Sequence, residues 1–132
     1  MIHRVLIIGR WMVDFLFCRG RFDRDGVLAC MRDCGASDFA MGQADDLMGT
    51  CDRNCGLTFA NPDRKRAVVV VGPTTSGAEF TDTLVHEVHH LAVAIASDLG
   101  IDLEGETPAY VAGDAARDLA DVICELGCRH CH

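Results

Sequence analysis

The run Ala67-Val68-Val69-Val70-Val71 constrains this chain more than any other segment. Four consecutive β-branched residues after an alanine favour extended backbone, and the lack of polar alternation means that both faces of the strand are buried. The run follows the turn residues Asn61-Pro62-Asp63 and ends at Gly72-Pro73. Gly56-Leu57-Thr58-Phe59-Ala60 on the far side of the turn reads as its strand neighbour. A second pair of strands is predicted at 2–9 and 11–18, two apolar runs joined by Gly9-Arg10 as an antiparallel hairpin.

Between these pairs the pattern turns helical. Gly26 to Asp33 reads as a short helix stopped by Gly35, after a polar loop from Arg19 to Asp25. Ser37 then caps a helix carrying Phe39, Met41, Ala44 and Met48 on or near one face. After the buried strand, Ser76-Gly77-Ala78-Glu79 fits a capping box. The helix it opens runs to about Leu99, with Gly100 as its stop. Phe80, Leu84, Val88, Leu91 and Ile95 form its core stripe. Thr107-Pro108 opens a last helix, predicted to continue to about Leu126. The order β-β-α-α-β-β-α-α predicts an α+β fold, a small antiparallel or mixed sheet packed with helices, in a single domain over residues 1–132.

Composition excludes several partners. A net charge of −8, with 20 acidic residues against 12 Lys and Arg, is wrong for nucleic acid. Arg64-Lys65-Arg66 reads as a solvated hairpin flank. No apolar stretch is long enough to span a bilayer, and the N-terminal residues read as a strand and not as a signal peptide. The expectation is a cytoplasmic protein with eight reduced cysteines and no membrane partner.

The long helix carries the chemistry. In His86-Glu87-Val88-His89-His90 the first and last histidines lie one turn apart on the same face, away from the core stripe. Two imidazoles so placed suit one tetrahedral Zn2+, and Glu87 beside them is positioned to take a proton from an activated water. His89 sits on a different azimuth and is read as a supporting or surface residue. This HExxH segment, preceded by the strand Val68–Val71, resembles the core of the zincin metallopeptidases over about residues 66–126. The resemblance implies that His86 and His90 bind zinc, that Glu87 is the general base, and that a nearby strand aligns a protein or peptide substrate. The metzincin extension is absent, since its glycine and third histidine would fall on Val93 and Ala96. A gluzincin-like arrangement fits better, with an acidic third ligand after the helix.

Asp98, Asp102, Glu104, Glu106, Asp114 and Asp118 are the acids available for that role. An extended connection lets Glu106 reach back to the metal, whereas a tight turn brings Asp114 or Asp118 level with His90. Glu106 is favoured, partly on the gluzincin resemblance. Its alternative role is an acidic residue complementing a helix start. Tyr110, one turn on, could donate to an oxyanion or simply pack in the core. Glu106-Thr107-Pro108-Ala109-Tyr110 also resembles a segment of small phage and prophage proteins that carry HExxH. The alternative function is a non-catalytic, zinc-stabilised binding or phage-type accessory protein.

Cys30/Cys34, Cys51/Cys55 and Cys124/Cys128 are four-residue steps that share a face if helical, suited to metal, to reversible oxidation, or to plain burial. The tail from Cys124 to His132 holds three thiols and two imidazoles. A second, structural zinc using Cys128, Cys131 and one or two of the histidines, with Cys124 beside them, or a disulfide to the Cys51–Cys55 region, are its candidate roles; the alternative is a frayed tail.

Overall fold

A computed structural model describes residues 1–101 and 104–128. Its elements are β1 (Ile2–Ile8), β2 (Trp11–Phe17), α1 (Arg24–Asp33), α2 (Asp38–Thr50), β3 (Gly56–Asn61), β4 (Arg66–Val71), α3 (Gly77–Asp98), α4 (Glu106–Asp118) and α5 (Ala120–Leu126). The four strands form one mixed sheet in the order β1-β2-β4-β3. Both hairpins are antiparallel, and β2 and β4 join them in parallel. This is the α+β architecture expected from the sequence.

The valine run is β4, and Ala67 to Val71 are all buried. Ala67, Val69 and Val71 face a core built with Trp11, Val13, Phe15 and Phe17 of β2 and with Phe80, Leu84, Val88 and Leu91 of α3. Val68 and Val70 face the opposite core, against Leu16, Val27, Met31, Ala44 and Met48. The sheet is therefore a middle layer, with α1 and α2 on one side and α3 to α5 on the other. Each buried valine adds roughly 1.5–3 kcal/mol relative to exposure, and that burial is complete only when both helix layers are in place.

Capping fixes the helix starts. The Ser76 hydroxyl accepts from the Glu79 amide at 3.1 Å, and the Ser37 hydroxyl accepts from Ala40 at 3.1 Å. α1 begins two residues before the expected Gly26, because the Asp23 carboxylate caps it by accepting from the Gly26 amide. At the far end of α3, Gly100 takes a φ of +66°, and the Ile101 amide donates back to Ala96. That left-handed residue stops the helix where a side chain would resist.

Two expectations are corrected. The last helical stretch is broken at Leu119 into α4 and α5, and it starts at Glu106, so that Thr107 and Pro108 lie inside the first turn. Proline is tolerated there because the first-turn amides have no helical acceptor. The break turns Val122 and Leu126 into the core that Val111, Ala115 and Leu119 already share. The second correction is Cys51 and Cys55, which form a disulfide instead of standing reduced. They flank the loop from α2 to β3, with Cα atoms 6.6 Å apart, inside the usual bridging range. Cys131 and both tail histidines lie outside the described residues. Cys124 and Cys128 are free thiols.

Cys18, Cys30 and Cys34 are free and lie under or beside α1. Burial raises all three thiols, and Cys30, with the Asp14 carboxylate adding to the effect of burial, is pushed up to about 12. A thiol held protonated in the fold contributes stability below pH 9, the ordinary thiol value. That contribution is lost as pH rises from 9 towards 12, because the unfolded chain ionises first. In reduced protein, iodoacetamide should therefore modify exposed Cys124 well before Cys30 at pH 8.5. The Cys30 rate should keep climbing with pH without levelling near 9. Peptide mapping of the modified chain reads both, and a Cys30 plateau near pH 9 would contradict the burial effect.

Candidate metal centre

α3 lies across β3 and β4, with Leu91 and Phe80 turned into the sheet. At about 100° per residue, Glu87 shares the sheet-facing side, while His86 and His90 stand at its border on exposed backbone turns. Their Nε2 atoms converge to 3.1 Å. That contact is a hydrogen bond whose donor depends on the tautomer; two nitrogens bound at about 2.05 Å to one tetrahedral zinc are about 3.3 Å apart, so replacing the shared proton by the ion would need a shift of only about 0.2 Å. The Glu87 Oε1 atom is 4.0 Å from His86 Nε2. The three side chains offer ligand atoms within 4.8 Å of one another.

Glu87 is only 4% exposed, whereas the His86 side chain is 67% exposed. The carboxylate is therefore presented from below to an open pair of imidazoles. Its other oxygen is fixed by β3: the Thr58 hydroxyl lies 2.7 Å from Oε2 and 3.1 Å from the Glu87 backbone carbonyl. Gly56, one pleat away on the same face of β3, makes room for it. A Cβ there would collide with the Val70 carbonyl and lie 2.8 Å from Glu87 Cγ. Thr58 and Gly56 were not singled out in the sequence. A threonine and a glycine in a strand carry no signal until register places them under a particular turn of α3.

The structure brings His86, Glu87 and His90 together and leaves Glu106 outside that cluster. α4 packs beside the α3 flank that carries Leu84, Val88 and Ala92, with Val111 and Ala115 buried in the shared core and an open groove between the helices lined by Pro108, Ala109 and Ala112. Val88 lies about 180° around the helix from the middle of the His86–His90 pair at 100° per residue. The N-terminus of α4 thus sits on the other side of α3 from the converging nitrogens. Tyr110 belongs to the same helix and is 67% exposed, so it is not a core aromatic. Asp114 and Asp118 pair with Arg117 of their own helix, at 3.4 Å and 3.3 Å. His89 faces the α3–α4 groove, away from the cluster.

Comparison of the chain with protein-family models, curated proteins and solved structures gives no match.

Replacing Thr58 by valine keeps the shape and removes the donor to a buried carboxylate. Leaving that oxygen unsatisfied should cost about 1–3 kcal/mol, seen as a lower urea midpoint, with Thr58→Ser closer to the parent. An unchanged midpoint in Thr58→Val would show that the hydroxyl does not hold Glu87.

Proposed function

We propose that this chain is a zinc-dependent hydrolase, a small metallopeptidase in which His86 and His90 hold the metal and Glu87 is the general base. The observation that carries the proposal is the 3.1 Å convergence of two exposed imidazole nitrogens directly above a buried carboxylate. Zinc bound there supplies a Lewis acid and an acidified water. Glu87 contributes the proton acceptor: Thr58 holds Oε2, which leaves Oε1 on the side of the imidazoles. The same carboxyl group then returns the proton to the leaving amine.

β3 supplies a way to orient a substrate. It pairs with β4 alone and is an edge of the sheet, next to the helix turn that carries Glu87. An extended peptide could add to that edge through main-chain hydrogen bonds, with its scissile carbonyl brought towards His86 and His90. Among the described residues no helix is long and apolar enough to cross a membrane, and the substrate envisaged is a protein or peptide in solution. Glu106 and Tyr110 take no part in this scheme, because α4 holds them off the histidine face.

That placement of Glu106 also favours a second reading. With Glu87 as a third ligand in place of a base, the same residues would form a non-catalytic zinc site pinning α3 to β3.

Activity and metal content of Glu87→Gln separate the two. On zinc-loaded, reduced protein assayed with a fluorogenic peptide library, the hydrolase predicts retained zinc and a kcat lowered about 10²–10⁴-fold. His90→Ala should lose activity together with the zinc held at the His86–His90 face, any ion bound elsewhere being unaffected. Unchanged turnover in Glu87→Gln would defeat the general-base role. Loss on Glu87→Gln of the zinc equivalent that His90→Ala also removes, with no turnover by the parent, would establish the non-catalytic reading.

A further inference from the structure

The opposite face of the sheet holds a second group of ligand-type side chains, independent of the first. Asp14 of β2 points to the side covered by α1, between the positions of Met12 and Leu16, and is 5% exposed. Its Oδ1 atom lies 2.8 Å from His3 Nε2 of β1, and its Oδ2 atom accepts from Arg66 Nη2 of β4 at 3.1 Å. Cys30 of α1 completes a set in which one nitrogen, one oxygen and one sulfur lie within 4.8 Å of one another. Cys34, one turn along the same face of α1, brings a second sulfur to 3.8 Å from Asp14 Oδ2.

We propose that His3, Asp14 and Cys30 form a second metal site that takes zinc, with Cys34 in reach as a fourth ligand. The donor set selects the ion: imidazole and thiolate favour zinc over magnesium or calcium, which prefer oxygen shells. The three residues come from β1, β2 and α1, so their convergence is made by the tertiary fold and not by one helix repeat. Opening the His3–Asp14 contact by about 0.5 Å gives the separation of two ligands on a tetrahedral zinc. The His3 side chain is 47% exposed, which leaves an entry path from solvent. Arg66 engages the other carboxylate oxygen, orienting Asp14 and offsetting part of the negative charge that a thiolate and a carboxylate add together.

Such an ion would have a structural effect. On this face the β1–β2 hairpin exposes Val5, Ile7 and Met12, and α1 packs against β4 beyond it. Coordination by His3 and Cys30 ties the outer strand directly to α1.

Cobalt(II) titration of the full-length protein, with the Cys51–Cys55 disulfide intact and the other thiols reduced, tests this, because thiolate ligation gives a near-ultraviolet charge-transfer band that an all-imidazole and carboxylate site lacks. The band is expected in the parent, in His86→Ala/His90→Ala, and in Cys124→Ser/Cys128→Ser. Cys30→Ser and His3→Asn should each weaken cobalt binding at least about tenfold and reduce or abolish the band. His3 is exposed, so His3→Asn remains informative if Cys30→Ser fails to fold, which circular dichroism reports. A band that persists unchanged in His3→Asn, or one that disappears with Cys124→Ser/Cys128→Ser, would overturn the proposal. So would reduced protein that binds cobalt with no thiolate band.

Discussion

The two-sided burial of β4 is the constraint on which everything else depends. Its five core residues contact both helix layers, and neither layer alone would remove both faces of the strand from water. α3 is thereby forced across β4 and its neighbour β3, with Leu91 and Phe80 as the residues that fix its rotation. Once that rotation is set, a helix of 3.6 residues per turn must bring Glu87 down onto β3 and leave His86 and His90 at the open border. The candidate metal centre is a consequence of how the core packs.

The burial of Glu87 carries a cost that the sheet only partly meets. Sequestering a carboxylate costs several kcal/mol after relaxation, and a hydrogen bond to a charged group returns about 1.5–3 kcal/mol. Thr58 supplies one such bond from a neutral donor. Asp14, the other buried carboxylate, has a guanidinium at 3.1 Å and an imidazole at 2.8 Å. The two acids are solved differently. Asp14 has a permanent cation beside it, whereas Glu87 within 4.0 Å has, among the described residues, only His86, which is charged when protonated.

Much of the scaffold was legible in the sequence, for local reasons. The valine run, Ser37, Ser76 and Gly100 each act through their own backbone neighbours, and strands, caps and the end of α3 fall where those residues put them. The His86–His90 pair was legible for the same reason, since four residues make one helical turn. What escaped is long-range. The Thr58–Glu87 contact depends on β3–β4 register and on the rotation of α3, and the His3–Asp14–Cys30 group depends on three elements meeting. Glu106 shows the limit most clearly. Chain reach permits it to approach His90, but reach gives a distance and no azimuth, and apolar packing of Val111 and Ala115 takes α4 to the other flank of α3.

The contrast between the two acids bears on what the His86–His90 face is for. If Glu87 were needed only to pin α3 to β3, a neutral glutamine could accept the Thr58 hydroxyl with less desolvation. The charge of the carboxylate gains value only when a positive centre sits on its free oxygen, and in the proposed reading the two converging imidazoles would hold such a centre. A divalent ion there offsets the buried charge more fully than one protonated histidine, and it does so without protonating the ligands it needs. An acid at position 87, under a pair of exposed nitrogens 3.1 Å apart, therefore suits the proposed metal-binding face better than a purely structural helix contact.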